Sequence, residues 1–146
     1  MNGGAWWRID GVKVDVLYRD LNVVEHWSTQ ARLGRFEVDD LLGYLAGFPT
    51  YAVVGELALG RQLTGEPLPR PSYPDALRAR ATENWRWRAG FHRTYAGQHA
   101  ARGDARAAAA LLTRADLEEA HARMAERGEW VLNEKGLLAR AGLPST

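Results

Sequence analysis

The sequence predicts an α+β chain, a short N-terminal β-hairpin followed by a mostly α-helical bundle of five or six helices. Three observations predict it. Aromatic and β-branched residues crowd positions 5–18 around the dipeptide Asp10-Gly11; strand signals stop near residue 20; and apolar residues then recur at helical spacing to the end. With 146 residues and 46% hydrophobic content there is material for one core and not for two.

The hairpin rests on Ala5-Trp6-Trp7-Arg8-Ile9 and Val12 to Tyr18, joined by the Asp-Gly pair that a two-residue type I′ turn prefers. Strand side chains alternate, so Val12, Val14, Val16 and Tyr18 share one face. Lys13, Asp15, Leu17 and Arg19 share the other, which leaves Asp15 on the mixed, open side. Asn22 with Glu25 has capping-box spacing and opens a helix through about Arg32, ended by Gly34. Val38 to Leu45 reads as a second short helix closed near Gly47, and Thr50 as the cap of a third that runs through Val53, Val54 and Leu57. Residues 64–74 hold four of the six prolines and form a connector. Ser72 with Asp75 and Pro74 starts a long helix through Arg102, with Gly90 as a possible break. Gly103-Asp104 stops it and caps the next, which spans Ala105 to about Arg127. A last short helix follows Trp130 and ends near Gly142.

Nineteen Lys plus Arg balance eighteen Asp plus Glu, so net charge argues neither for nucleic acid nor for an anionic membrane surface. Lysine occurs only at Lys13 and Lys135, which sets both apart from a background of arginine. The absence of cysteine removes disulfides, thiolate metal sites and a cysteine nucleophile. The N-terminal residues show no export signal and no apolar run reaches membrane-span length, so a soluble cytoplasmic protein is expected.

Two stretches carry a family resemblance. Gly3-Gly4-Ala5-Trp6 through Val14-Asp15-Val16-Leu17-Tyr18-Arg19-Asp20-Leu21 resembles the later strands of the nucleotidyltransferase superfamily, in its kanamycin-nucleotidyltransferase-like and MNT-type members. Trp130-Val131-Leu132-Asn133-Glu134-Lys135-Gly136-Leu137-Leu138 to Leu143 resembles the closing segment of their helical domain. In that family a Gly-Ser turn grips the nucleoside triphosphate, an Asp-x-Asp pair holds divalent metal and a third carboxylate completes the site. The resemblance implies that residues 1–20 are remnant strands of such a sheet and that residues 21–146 are the helical bundle domain. It implies Asp15 as the third carboxylate, catalytic and metal-ligating, and Lys135 with Asn133 as contacts to the triphosphate. Mg²⁺ and a nucleoside triphosphate are implied only in this way. Two metal ions clamping an in-line phosphoryl displacement need anionic oxygen ligands, which is why the family clusters carboxylates. The Gly-Ser and Asp-x-Asp motifs are not found before Asp15, so the expectation is a truncated or partial nucleotidyltransferase-like protein, inactive alone.

Bland readings stand beside these. Asp15 as an exposed strand residue and Lys135 as a solvated lysine beside Glu134 need no ligand. Arg-x5-His recurs at Arg86 to His92 and Arg93 to His99, a spacing seen in HEPN ribonucleases, but in an arginine-rich chain it reads as a solvated helix face. His26, His92, His99 and His121 lack paired-ligand spacing and read as surface or partly buried residues, not a zinc site. Trp87, Phe91 and Tyr95, at i, i+4 and i+8, are expected in the core rather than as a base-stacking platform. Asp116 is expected exposed on its helix flank. A lone hairpin leaves its edges unpaired, so a homo-oligomer or a partner protein through that edge is expected. The alternative function is a non-catalytic helical interaction protein that binds a partner in the manner of an antitoxin. Nucleotide is a possible ligand on the first reading; nucleic acid and membrane are not expected.

Overall fold

The computed structural model describes residues 3–144. Strand β1 (Gly4–Ile9) pairs antiparallel with β2 (Val12–Leu17) in the register Gly4 to Leu17 and Ile9 to Val12. Asp10 and Gly11 both take positive φ (49° and 82°), the requirement of the type I′ turn that the dipeptide predicted. The α+β class is as the sequence indicates, an antiparallel hairpin followed by a helical region.

Helix α1 (Leu21–Arg32) is capped by Asp20, whose side chain accepts from the Asn22 N–H, rather than by Asn22 itself. It ends at Gly34, where φ is +71° and an added Cβ would meet the Ala76 carbonyl oxygen at 2.7 Å. The expected helix over Val38–Leu45 does not form. Val38–Asp39 is instead a short strand, β3, paired antiparallel with β4 (Phe48–Pro49). Gly43 and Gly47, both at positive φ (93° and 108°), turn the chain between them, which a helix could not accommodate. Thr50 caps no helix: its Oγ1 accepts the Glu37 N–H at 3.0 Å and extends the β3–β4 connection. Helix α2 (Ala52–Leu59) follows.

Residues 60–74 form no regular element, in keeping with their prolines. Helix α3 (Asp75–Ala101) then runs unbroken through Gly90, because that residue lies on the exposed side where nothing demands a bend. Its N-cap is Pro74 rather than Ser72. Asp104 accepts the Ala107 N–H to cap α4 (Ala105–Arg127), which Gly128 closes in the left-handed conformation. Helix α5 (Leu137–Arg140) ends the described chain.

Helices α3 and α4 pack antiparallel along their lengths and supply most of the core, with α1, α2 and α5 around them. Leu77, Ala81, Trp85, Ala120 and Met124 are fully buried there. Alanines at Ala81, Ala89, Ala115 and Ala122 let the two helix axes approach closely and leave room for Trp85 and Tyr51. The hairpin stands apart. No helix packs extensively against it, and its stem is fixed by Arg19, which donates through Nε and Nη2 to the Glu56 carboxylate on α2, both at 2.7 Å. No described helix is long and apolar enough to cross a membrane.

Candidate functional site

The Asp15 side chain stands on one face of the hairpin, opposite Trp6 and beside Lys13, and is exposed. Alternation makes this face mixed, with Gly4, Trp6, Arg8, Lys13, Asp15 and Leu17. The reverse face is wholly apolar: Ala5, Trp7, Ile9, Val12, Val14 and Val16. Trp7, Ile9 and Val12 on it are more than half exposed. Neither hairpin edge is paired among the described residues.

Asn133 and Lys135 lie elsewhere, in the loop between α4 and α5. The Asn133 Oδ1 accepts the Lys135 N–H at 3.0 Å, an Asx turn that fixes the direction in which the lysine leaves the backbone. Both line an open cavity of about 560 Å³ with Tyr44, Thr113, Glu134 and Leu138. Glu134 is the pivot of this region. Its two carboxylate oxygens accept the Leu45 and Ala46 N–H groups at 2.6 and 2.8 Å, and the His121 Nε2 lies 3.9 Å away. Burial works to raise its pKa, but the imidazole and the two N–H donors outweigh burial and hold it below the ordinary glutamate value. The Tyr44 hydroxyl donates to the Leu132 carbonyl, and burial followed by the Glu134 charge raises its pKa.

A second cavity, of about 390 Å³, opens where the hairpin meets the bundle. Asp20, Asp39 and Asp40 stand on its rim and Trp27, Phe48 and Val53 on its floor, with Arg19 held by Glu56 at one side. Three carboxylates over an apolar floor favour a cationic group above an anionic one. Asp15 lines neither cavity, so the structure brings Asn133 and Lys135 together and leaves Asp15 apart from them. Among the described residues no three His, Asp or Glu side chains gather closely enough to hold a metal ion. Asp15 belongs to no such group.

Deeper in the bundle lies a polar cluster that the sequence reading missed. Glu118 on α4 is fully buried and accepts from Arg88 Nε at 3.2 Å and Arg114 Nε at 3.4 Å, with His92 Nδ1 at 2.7 Å. The one advance signal was the i, i+4 spacing of Arg114 and Glu118. Arg88 is therefore turned inward from the helix surface; it also donates to the Ala46 carbonyl and lies 5.2 Å from the Trp85 ring centroid. Arg86 binds Glu126 instead, so the Arg86-to-His92 spacing ends at two separate carboxylates, Glu126 and Glu118. The same holds for Arg93 with Asp116 and His99 with Asp104. Asp116 is half exposed, as its flank position suggested.

His121 was expected at or near the surface and is instead 1% exposed, stacked on Trp85 with ring centroids 4.4 Å apart. Neither of its ring nitrogens has a hydrogen-bond partner among the described residues. The Trp85 indole N–H donates to the Tyr51 hydroxyl at 2.9 Å, and burial raises the pKa of that phenol far above its ordinary value. Trp87, Phe91 and Tyr95 depart from expectation in the opposite sense. They are exposed, because the core side of α3 is taken by Leu77, Ala81, Trp85, Ala89 and Ala96. No family model matches the chain, no curated protein matches it, and no solved structure matches it.

Proposed function

We propose that this chain is part of a nucleotidyltransferase-type protein, contributing a hairpin with one site carboxylate and the helical bundle beside it. The observation that carries the reading is the state of the hairpin. A two-stranded sheet with an apolar face, free edges and an exposed aspartate on its other face is marginal alone and suited to completion by further strands. Strands paired to either edge would bring their own side chains alongside Asp15, and an element packed on the apolar face of the widened sheet would bury Trp7, Ile9 and Val12. Such neighbours would have to supply the remaining carboxylates, since this chain offers one. The reaction of the intact site would be transfer of a nucleotidyl group from a nucleoside triphosphate to a hydroxyl acceptor. Asp15 would lie at the metal and the acceptor hydroxyl. Lys135, directed by Asn133, would present a compact positive charge to phosphate oxygens.

Isothermal titration of Mg-ATP into the chain tests this reading. Binding that requires Mg²⁺, is lost in Asp15→Ala and weakens in Lys135→Ala supports it. Heat at millimolar nucleotide that neither variant changes, or no heat at all, removes the nucleotide role and leaves the interaction-protein reading, whose support is the same uncovered hairpin face.

A further inference from the structure

The free edge of β2 carries a pattern that matches itself. The Tyr18 N–H donates to the Gly3 carbonyl at 3.0 Å and the two strands pair from there to Val12, so Val12, Val14 and Val16 turn their N–H and C=O groups toward β1. Lys13, Asp15 and Leu17 turn theirs outward, to an edge that is unpaired among the described residues. No helix packs extensively on the hairpin, which leaves this edge open to a second chain. The side chains of the three outward residues stand on the mixed face, where Lys13 lies directly opposite Arg8, a like charge. Arg8 turns to the hairpin tip and donates to the Gly11 carbonyl at 2.9 Å. Lys13 and Asp15 are both exposed, and the ion pairs among the described residues lie elsewhere in the chain, beginning with Arg19 and Glu56.

We infer that this edge pairs with itself: β2 of a second copy lies antiparallel beside it about a two-fold axis through Val14, joining two hairpins into one four-stranded sheet. That register sets Lys13 of each copy opposite Asp15 of the other, as two hydrogen-bonded pairs that each exchange both N–H···O bonds. The charges are complementary at both pairs, and each carboxylate arrives beside an Arg8–Lys13 pair that lacks one. On the reverse face the same register sets Val12 against Val16 and Val14 against Val14, β-branched against β-branched. A slip of two residues along the strand instead sets Asp15 against Asp15 or Lys13 against Lys13, like charges directly opposite. The edge of β1 offers no such match, since its outward residues, Gly4, Trp6 and Arg8, include no carboxylate.

The two-fold axis closes the contact at two copies, because the same edge is used on both. The paired stretch from Val12 to Val16 is about 17 Å long at about 3.4 Å per residue, short against a specific interface of ordinary size. Association is therefore weak and reversible, with the chain monomeric at low micromolar concentration and dimeric toward millimolar. No nucleotide enters the contact, so the inference stands or falls apart from the nucleotidyltransferase reading.

Sedimentation velocity and residue-resolved amide exchange of the full chain, from about 10 µM to about 1 mM, test the inference. As the wild-type chain dimerises, the Lys13 and Asp15 N–H groups should gain protection, while those of Val12, Val14 and Val16, already bonded to β1, change little. Lys13→Asp and Asp15→Lys each place like charges opposite in both pairs and should each raise the dissociation constant roughly tenfold or more. Combining the two exchanges the charges and should return association to within about threefold of wild type. Both positions are exposed, so unchanged circular dichroism separates weaker association from unfolding, and the wild-type exchange pattern needs no variant. A wild-type chain that stays monomeric across the range overturns the inference. So does association that the single variants leave unchanged, that the double variant fails to restore, or that protects the Gly4, Trp6 and Arg8 amides instead.

Discussion

The hairpin and the centre of the α3–α4 pair use the same residue type to opposite ends. Trp85 is fully buried, its indole N–H satisfied by Tyr51, one face stacked on His121 and Arg88 nearby. Trp6 and Trp7 are 70% and 55% exposed on a sheet that nothing in the described chain covers. A tryptophan in the first setting stabilises the fold; in the second it adds little to stability. The bundle thus closes on its own core, while the hairpin is joined to it through Arg19 and Glu56 and stays largely exposed among the described residues.

The largest expected effect lies at the centre of that contrast. Trp85→Ala should cost about 3–5 kcal/mol in urea unfolding, through lost burial, an emptied cavity and an orphaned Tyr51 hydroxyl. Trp7→Ala should cost no more than about 0.5 kcal/mol, as expected for a surface change. Equal losses at the two positions would show that the hairpin face is covered in solution, and the comparison would fail.

Glu134 offers a sharper probe, because it joins the candidate phosphate loop to the bundle. Glu134→Gln removes the charge from an acceptor of two backbone N–H groups and should cost about 1–3 kcal/mol near neutral pH. The folded-state pKa is lowered, so the wild-type contribution is complete above the ordinary glutamate value. It is lost as pH falls through the folded value. The difference between wild type and variant should therefore shrink in acid. A difference that grows on acidification would contradict the assigned role of the Leu45 and Ala46 N–H donors.

What the sequence disclosed follows the same division. Local signals were legible: Asp10-Gly11 at the turn, Asp104 as a cap, the proline connector, and the ends at Gly34 and Gly103 all depend on a few neighbouring residues. Features decided by distant contacts were not. Val38–Leu45 has apolar residues at helical spacing, yet pairing with Phe48–Pro49 makes its start a strand. Trp87, Phe91 and Tyr95 share a stripe as expected, but whether a stripe faces the core depends on which other face competes, and Trp85 with the alanines won. His121 and Glu118 gave no sign of burial, since each is held inside by partners far away in sequence. At the candidate site, the Asx turn of Asn133 and Lys135 was within reach of a local reading, whereas the cavity they share with Tyr44 was not.

The smallest expected effect is the most informative about Asp15. Aspartate is a poor strand former, and this one stands exposed on β2 opposite Trp6, where a β-branched residue would add cross-strand contact. Asp15→Val should therefore leave stability unchanged or raise it by up to about 1 kcal/mol, read from urea midpoints and from slower amide exchange across the Trp6–Asp15 register. A variant at least as stable as wild type would leave the carboxylate free for the proposed role, which the nucleotide titration tests separately. Destabilisation by more than about 1 kcal/mol would mean instead that the carboxylate is engaged in a structural contact, since surface substitutions without such contacts stay within about 0.5 kcal/mol. The carboxylate's proposed role would then have to give way to a structural one.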